Sequence, residues 1–504
     1  GYAATANEAI KLNHLTGILR LAVKGNGEAL TSVVFTSELG KIAGPFTVDC
    51  TNGTLVAQEG ASNVVTLTFA EPLVLGAEAQ YLYVAVPAGS YGSFAVTLHT
   101  ASDKMTLKFD SAAKPVSVGN VREFKEFTYA ANDEEVDSSV FEIDSKDALI
   151  EFASKIAEGT FAPYTAAAVV ANIDMTGVAW TPIEGFDGKT FDGGKVSGFA
   201  INGLNAPLFG STNSTIQNVN LTNVNIVSNG RLVLGAVACN LAAEGSLTNC
   251  HTSGTITVSN PEATIAEDAD LYTTVNYGGL VGISAGKIDG CVNEAKIQVS
   301  QLASANNTTA VKPSIGGVVA LVTNGGVVTN CVNGNTEKTT GIINYYENCA
   351  TKLYTPHIGG IAGYVATATI SNSTNYGALD FNAKAGGAYD LDKTSTLMGG
   401  ILGGSEYTTH EGNNNYGTLT VSGGDIMNII AGGFAGFVTQ PAKCYDNHNK
   451  QGGNVTIEAS LVFQSLNVAG VAGAIYGKPM ERCSNDAPIV AKASTSPDAI
   501  PNGE

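Results

Sequence analysis

Residues that could do chemistry are few in this chain, and their spacing favours no catalytic centre. None of the six histidines stands beside a serine or cysteine in a recognisable nucleophile elbow, and the H-E-x-x-H zinc motif is absent. A glycosidase needs two carboxylates that face each other across a cleft. The acidic residues near the predicted strands share no repeat position; they are Asp187, Asp192, Asp289, Asp380 and Glu294. The sequence therefore predicts no catalytic residue, no metal centre and no cofactor.

Two short acidic clusters are weak candidates for calcium. One contains Asp268 and Asp270, and the other contains Asp390 and Asp392. Carboxylate oxygens at this spacing are ligands that calcium accepts. The alternative interpretation is solvated loop charge, which the same residues would supply without binding any ion.

The cysteines follow the repeats of the chain. Five of the eight are predicted to occupy one repeat position, namely Cys250, Cys291, Cys331, Cys444 and Cys483. A metal or redox role is one interpretation. The other is a buried ladder of reduced thiols, since cysteine packs as a small apolar residue and a straight ladder lacks the tetrahedral ligand arrangement of a zinc site.

Tyrosines provide the strongest signal for binding. Insertions at about 260–276, 300–315, 336–357, 382–397 and 422–430 follow equivalent strands, so they are predicted to emerge from one corner of a repeat structure. Tyrosine offers a flat apolar face and a hydroxyl, which suits contact with a glycan or a protein. The candidate binding residues are Tyr272, Tyr277, Tyr345, Tyr346, Tyr354, Tyr376, Tyr389 and Tyr416. The alternative is that these side chains only pack the loops down.

A repeat positions these residues. Gly-Gly segments such as Gly278-Gly-Leu-Val-Gly recur between Gly235 and Gly470 with a mean period of about 39 residues, which is typical of a solenoid. Within each unit a second strand ends in a small residue, an asparagine follows, and a third strand completes the turn. The pattern predicts a right-handed parallel β-helix over residues 141–504, with a short capping helix at 144–158 whose apolar residues recur at helical spacing.

Stacking explains the residue types. Successive coils of such a helix lie about 4.8 Å apart, so each side chain meets the same position of the next coil. Gly-Gly is expected to make a tight corner in which a Cβ would clash. Asparagine tolerates left-handed backbone at a corner, and stacked amides can hydrogen-bond along the ladder.

The residues before the repeat have a different pattern. Residues 1–130 contain short alternating strands such as Gly17–Val23 and Phe94–Leu98, separated by glycine, proline, asparagine and aspartate. This spacing predicts an antiparallel β-sandwich. An acidic linker at 131–140 marks a domain boundary. The fold class is therefore all-β, with a sandwich followed by the β-helix.

Composition limits the partners. The net charge is −19, and only 14% of the residues are charged. Because no basic patch is present, nucleic acid is excluded as the main partner. The sequence contains no run of about 18 apolar residues, the length that a membrane-spanning helix requires. Contact with a membrane is therefore expected only through a lipid anchor outside the sequence. The chain is expected to be a monomer.

The motif order resembles that of Bacteroidetes surface cell-adhesion proteins. The Gly-Gly units look like GLUG-type repeats, and the segments FEIDSKDALIEFASKIAEG and PLFGSTNSTIQNVNLTNVNI resemble the capping entry of such β-helices. NHLTGILRLAV and GPFTVDCTNGTL in the first 130 residues resemble a fimbrillin-like domain. The resemblance implies an outer-membrane lipoprotein or a secreted protein on the bacterial surface.

Together these observations predict a non-enzymatic adhesion protein that binds a glycan or a surface protein through the loops on one corner of the β-helix. Two alternatives remain open. One is a polysaccharide-degrading lyase or hydrolase on a β-helix, and the other is a structural subunit of a surface fibre that exchanges strands.

Overall fold

The computed structural model describes residues 2–3, 12–49, 53–110, 115–132, 140–162, 164–228, 230–259, 266, 270, 272–300, 312–347, 355–383 and 395–495. The chain forms two compact units, residues 1–142 and residues 143–504.

The first unit is a β-sandwich with an apolar interior. Alternate side chains of its strands face inward, among them Leu19, Leu21 and Phe35, and the rings of Phe94 and Phe124 meet there at 5.7 Å between centroids. In one sheet the order is 104–110, 93–99, 29–37 and 64–74. The strands are Tyr2–Ala3, Leu12–Asn13, Thr16–Lys24, Ala29–Ser37, Phe46–Asp49, Thr54–Ala57, Val64–Val74, Gln80–Pro87, Ser93–His99, Lys104–Asp110, Val121–Glu123 and Phe127–Thr128.

The second sheet of this sandwich departs from the purely antiparallel arrangement predicted. Gln80–Pro87 pairs antiparallel with one edge of Thr16–Lys24. Val121–Glu123 and Phe127–Thr128 pair with the same strand in the parallel sense. Lys104–Asp110 belongs to the first sheet, whereas Val121–Glu123 and Phe127–Thr128 belong to the second. These two short strands run in the same direction as Thr16–Lys24, so their pairing with it is parallel.

The second unit is a parallel β-helix, as the repeat predicts. One sheet contains Phe209–Thr212, Ala238–Leu241, Val281–Ser284, Val319–Val322, Ala362–Ala366, Leu402–Glu406, Ala435–Thr439 and Ala472–Tyr476. The next strands along each coil form another sheet of Ala166–Val169, Thr190–Asp192, Thr215–Gln217, Ser246–Thr248, Lys287–Asp289, Val327–Thr329, Thr369–Ser371, Thr409–Glu411 and Lys443–Tyr445. Each strand pairs in register with its equivalent one coil away.

The remaining strands of each coil form a third, larger sheet. Its strands are Ile173–Asp174, Ile201–Asn202, Asn220–Ser228, Val233–Leu234, His251–Val258, Asn276–Gly278, Val292–Asn293, Lys296–Ser300, Ser314–Gly316, Val332–Asn333, Ile343–Glu347, His357–Gly359, Thr374–Asn375, Leu379–Ala383, Ser395–Gly399, Asn414–Asn415, Leu419–Gly432, His448–Asn449, Val455–Ala469, Ser484–Asn485, Ile489–Ala491 and Ser494–Thr495. Residues 422–430 continue the strand Leu419–Gly432, so the insertion predicted there is wrong.

A ladder of asparagine side chains runs inside the β-helix. Each amide Nδ2 donates to the Oδ1 of the asparagine one coil further on, at distances of 2.8, 2.8, 2.9, 2.8 and 2.7 Å. The members are Asn293, Asn333, Asn375, Asn415, Asn449 and Asn485. Because buried amides need partners, this column satisfies itself along the solenoid axis.

The two glycines of a Gly-Gly pair avoid different clashes, and only the second makes room for the asparagine ladder. A Cβ on Gly360 would overlap the Asn375 amide and the carbonyl of Gly400. A Cβ on Gly359 would overlap the carbonyl of Ala362. The first glycine therefore permits the turn into the next strand, whereas the second makes room for an asparagine 15 residues later.

One α-helix, α1, closes the beginning of the β-helix. It spans Lys146–Ala157, and the Ser145 hydroxyl accepts a hydrogen bond from the Ala148 amide at its start. Leu149 and Phe152 on its apolar face are buried. The Phe152 ring meets those of Phe161, Phe186 and Phe191 at centroid distances of 5.1, 5.3 and 5.7 Å. The helix thus shields an apolar end that would otherwise face water.

Candidate functional site

An aromatic cluster forms where the inserts leave the β-helix. The Tyr272 ring stacks on the Tyr364 ring, with 4.5 Å between centroids and 11° between planes. His357 meets Tyr364 edge-on at 4.9 Å. A Cβ on Gly404 would lie 2.8 Å from the imidazole and 3.2 Å from the phenol ring, so glycine leaves room for both. We call Tyr272, Lys312, His357, Tyr364 and Glu406 the insert corner.

Two charged side chains border these rings. The Lys312 ammonium lies 5.1 Å from the Tyr272 ring centroid and 3.2 Å from the Tyr272 hydroxyl. The Tyr364 hydroxyl donates to the Glu406 carboxylate at 3.3 Å. Burial lowers the pKa of His357 to about 3, and the positive charge of Lys312 acts in the same direction. The imidazole is therefore neutral at physiological pH.

Three buried polar atoms in this region lie in one column. Asn276 pairs in register with Ser314, and Ser314 with His357. Asn276 Oδ1, Ser314 Oγ and His357 Nδ1 have no hydrogen-bond partner among the described residues. Since buried polar atoms are nearly always paired, the column has hydrogen-bonding capacity that these residues leave unused.

The predicted binding tyrosines divide into buried and accessible groups. Tyr277 and Tyr345 are buried, and Tyr345 stacks on Phe381 at 5.5 Å, so neither can present a free ring. Tyr346 is 48% exposed. Tyr376 and Tyr416 stack on adjacent coils at 5.1 Å, as their shared Asn-Tyr-Gly context suggests. Tyr354 and Tyr389 lie outside the described residues.

Sequence reasoning missed four members of the insert corner. His357 and Lys312 were given no binding role because neither belongs to a motif. Tyr364 and Glu406 lie on the repeat strands Ala362–Ala366 and Leu402–Glu406. The repeat pattern of these strands indicates only a structural role. Only the position of Tyr272 beside an insert pointed to this region.

Asp270 is engaged in a turn. Its Oδ1 accepts hydrogen bonds from the amides of Tyr272 and Thr273 and from the Thr273 hydroxyl, at 2.9, 2.8 and 2.9 Å. These bonds lower the pKa of its carboxyl group. The other calcium candidates, Asp268, Asp390 and Asp392, lie outside the described residues. Calcium binding at these four positions stays a prediction.

The cysteine ladder is shorter than predicted. Cys250, Cys291 and Cys331 lie in one buried column, and the Cys250 amide donates to the Cys291 sulfur at 3.4 Å. The column continues through Ser373, Asn413 and Asn447 to Cys483, as the register of the following residues requires. Cys444 pairs with His410 in the neighbouring sheet instead. The assignment of Cys444 to the shared position is therefore wrong.

Part of this chain matches a known protein family. Residues 148–254 match the family model described as the M26 IgA1-specific metallo-endopeptidase N-terminal region. The matched residues begin in α1 and end in the strand His251–Val258. They are about a fifth of the chain. No curated protein matches this chain.

Solved structures include two similar chains, both distant. One is a crystal structure from Bacteroides ovatus, described as a candidate immunoglobulin A1 protease; identity is 17%, the TM-score is 0.37, and the alignment covers 57% of this chain and 78% of that one. The other is described as IgA1 protease; identity is 14%, the TM-score is 0.39, and the alignment covers 86% of this chain. This chain spans 29% of that protein's length.

These comparisons correct the functional prediction. The matched family is a metallo-endopeptidase family, so the expectations of a non-enzymatic adhesion protein and of no enzymatic role are wrong. The alternatives of a polysaccharide-degrading enzyme and a fibre subunit fit no better. The GLUG-type and fimbrillin-like resemblances gain no support, whereas the all-β architecture of sandwich and β-helix is confirmed.

Proposed function

We propose that this chain acts in proteolysis, as the N-terminal region of an extracellular metallo-endopeptidase of the M26 type, with an IgA1-type immunoglobulin as substrate. The match of residues 148–254 to the N-terminal region of that family carries the proposal. The matched residues include α1 and the phenylalanine cluster beneath it, which belong to the architecture and not to a reaction centre. The proposal therefore concerns a supporting region of such an enzyme.

The metal of such an enzyme does not fit the described residues. Among them, no group of three or more histidine, cysteine, aspartate or glutamate side chains is placed to hold an ion. His251 is held between Asn220 and Glu294, at 2.9 Å on each side. His357 and His410 are buried, and their pKa values are lowered to about 3. We accordingly assign no bond-breaking step to these residues.

Holding a large protein substrate is the role left to this region. A solenoid is rigid along its axis because each coil pairs with both neighbours, and its surface side chains keep fixed spacings. Tyr346 and the stacked pair Tyr376 and Tyr416 offer aromatic surface outside the buried core. We assign the contact with a protein partner to these three rings.

An extracellular location accompanies this role. A secreted or surface position suits an enzyme that acts on an immunoglobulin. Separately, the described part of the chain contains no helix with the length and hydropathy of a membrane span. Two measurements check the extracellular location: fractionation of cells that express the protein, and protease treatment of such cells while they are intact. An extracellular chain is cleaved on intact cells.

The test is binding of the purified chain to IgA1, with IgG as the control immunoglobulin. Binding to IgA1 that weakens at least tenfold in a Tyr346→Ala, Tyr376→Ala, Tyr416→Ala variant supports the proposal, because loss of one aromatic anchor typically costs 1–2 kcal/mol or more, about a tenfold change. A Tyr81→Ala, Tyr83→Ala variant, with exposed tyrosines of the first unit, is the matched control and keeps wild-type affinity. Equal affinity for IgA1 and IgG, or none for either, contradicts it.

A further inference from the structure

Two thiols approach each other at the corner between neighbouring coils. Cys483 is in register with Asn447, because the following residues, Ser484 and His448, are paired. The Asn447 side-chain amide donates to the Cys444 sulfur at 3.6 Å. Cys444 and Cys483 therefore both lie beside Asn447, and each thiol shifts the pKa of the other, raising that of Cys444 and lowering that of Cys483.

We propose that Cys444 and Cys483 form a disulfide that staples the coil containing Cys483 to its neighbour. The link would join residues 39 apart in sequence, one repeat period of the solenoid. A crosslink stabilises mainly by restricting the unfolded or opened chain, and its effect grows with the length of the closed loop. A bond across one coil therefore opposes local opening of that coil.

The side chains at the start of this coil are less buried than their equivalents in the preceding coil. Residues 432–436, which begin the preceding coil, are buried, whereas the equivalent residues 469–473 are partly exposed. Ile475 and Tyr476 are 40% and 62% exposed. Local stability falls where apolar contacts are few. Residues 469–476 are therefore the segment in which the effect of a Cys444–Cys483 bond on local opening is measured most readily.

Cys483 is the thiol that an oxidant can reach. Its side chain is partly exposed, whereas Cys250, Cys291 and Cys331 are fully buried. The hydrogen bond with Cys444 lowers the pKa of Cys483 to about 7, and the same contact, together with burial, raises the pKa of Cys444. The pair thus has an accessible thiolate and a protonated partner at neutral pH.

The oxidation balances with an exogenous disulfide, such as oxidised glutathione, as the co-reactant. The Cys483 thiolate attacks one sulfur of that disulfide, forms a mixed disulfide and releases one thiolate. Cys444 loses its proton, attacks the Cys483 sulfur and releases the second thiolate, and both thiolates are protonated in solvent. The protein loses two electrons and two protons, and the exogenous disulfide is reduced to two thiols.

The experiment treats the full chain with oxidised glutathione at pH 8, blocks remaining thiols under denaturing conditions and maps linked peptides by mass spectrometry. We expect a Cys444–Cys483 peptide and two fewer blocked thiols than in the reduced chain. Cys483→Ser abolishes both, whereas Cys239→Ser, which removes a thiol in another sheet, keeps the linked peptide. Because Cys483 is partly exposed, its serine variant avoids a large core defect.

Hydrogen exchange separates the staple from simple oxidation. In the oxidised chain we expect amides of residues 469–476 to exchange at least about tenfold more slowly than in the reduced chain, with no change in the Cys483→Ser variant. The proposal is overturned if glutathione leaves eight blocked thiols, if Cys483 remains a mixed disulfide, if the linked peptide joins other cysteines, or if the exchange of residues 469–476 does not respond.

Discussion

Replacing Asn375 by alanine removes a central member of the buried amide ladder. Its Nδ2 donates to Asn415 Oδ1 at 2.9 Å and to the Gly377 carbonyl at 3.0 Å. Its Oδ1 accepts from Asn333 Nδ2 at 2.8 Å and from the Gly377 amide at 3.1 Å. The asparagine is completely buried, so water cannot replace these bonds without entering the core.

The free energy of unfolding of Asn375→Ala is expected to be lower than that of the wild type by about 3–5 kcal/mol. Each buried group left without a partner costs roughly 1–3 kcal/mol, and the neighbouring amides keep some of their other bonds. The lost side-chain volume adds a small cavity. Asn382→Ala is the matched control, because Asn382 makes a single exposed bond to the Ser422 hydroxyl at 3.0 Å and should cost less than about 0.5 kcal/mol.

The assay is native-state hydrogen exchange of the strands Thr374–Asn375 and Asn414–Asn415, supported by thermal unfolding of each variant. Faster exchange of both strands in Asn375→Ala, with Asn382→Ala unchanged, is the predicted result. Equal protection in the two variants would refute the reasoning, since it would mean that the ladder adds nothing beyond the backbone pairing.

Three further predictions concern other parts of the β-helix. Gly360→Ala should prevent correct folding of its coil because the new Cβ overlaps the Asn375 amide, whereas Gly230→Ala, which has open space, should fold normally by circular dichroism. The free energy of unfolding should fall as the pH drops from about 6.5 towards 3, since the pKa of His410 is lowered to about 3 and the unfolded chain binds the extra proton. In His410→Gln this fall, measured from unfolding at each pH, should be smaller by about 5 kcal/mol. Asp270→Ala should speed exchange of residues 272–274, and added calcium should not restore their protection if the carboxylate acts only in the turn.

The sequence predicted the architecture because the solenoid repeats its constraints. The asparagine ladder could be predicted from the recurring Asn alone, since stacked coils bring equal positions together. The need for the second glycine of each pair could not be predicted in this way, because it depends on an asparagine side chain 14 to 16 residues later that occupies the space a Cβ would fill. That contact appears only when the coil is closed.

The candidate site was harder to predict for two physical reasons. Strand alternation places Ile343 and Tyr345 inward and leaves Tyr346 outward, so neighbouring tyrosines have opposite roles. The strand Leu379–Ala383, which pairs with Ile343–Glu347, shows the same alternation. Leu379 and Phe381 are buried at the positions paired with Ile343 and Tyr345. His357 and Lys312 come together with Tyr272 only through the stacking of three coils, which no local spacing encodes.

Function was predicted wrongly because the chain carries no local catalytic signature. The similarity to the M26 N-terminal region is spread over residues 148–254, which run from α1 to the strand His251–Val258. The motifs of the chain therefore predict only a scaffold with a binding role.

The most direct test of the functional account is metal-dependent cleavage of IgA1 by the complete product of the gene that encodes this chain. We expect discrete IgA1 fragments, no cleavage of IgG, loss of activity with a chelator and recovery when divalent metal ions are restored. We also expect weaker cleavage at low IgA1 concentration in the Tyr346→Ala, Tyr376→Ala, Tyr416→Ala variant. Intact IgA1 after prolonged incubation with divalent metal ions, or cleavage that a chelator does not affect, would contradict the proposed function.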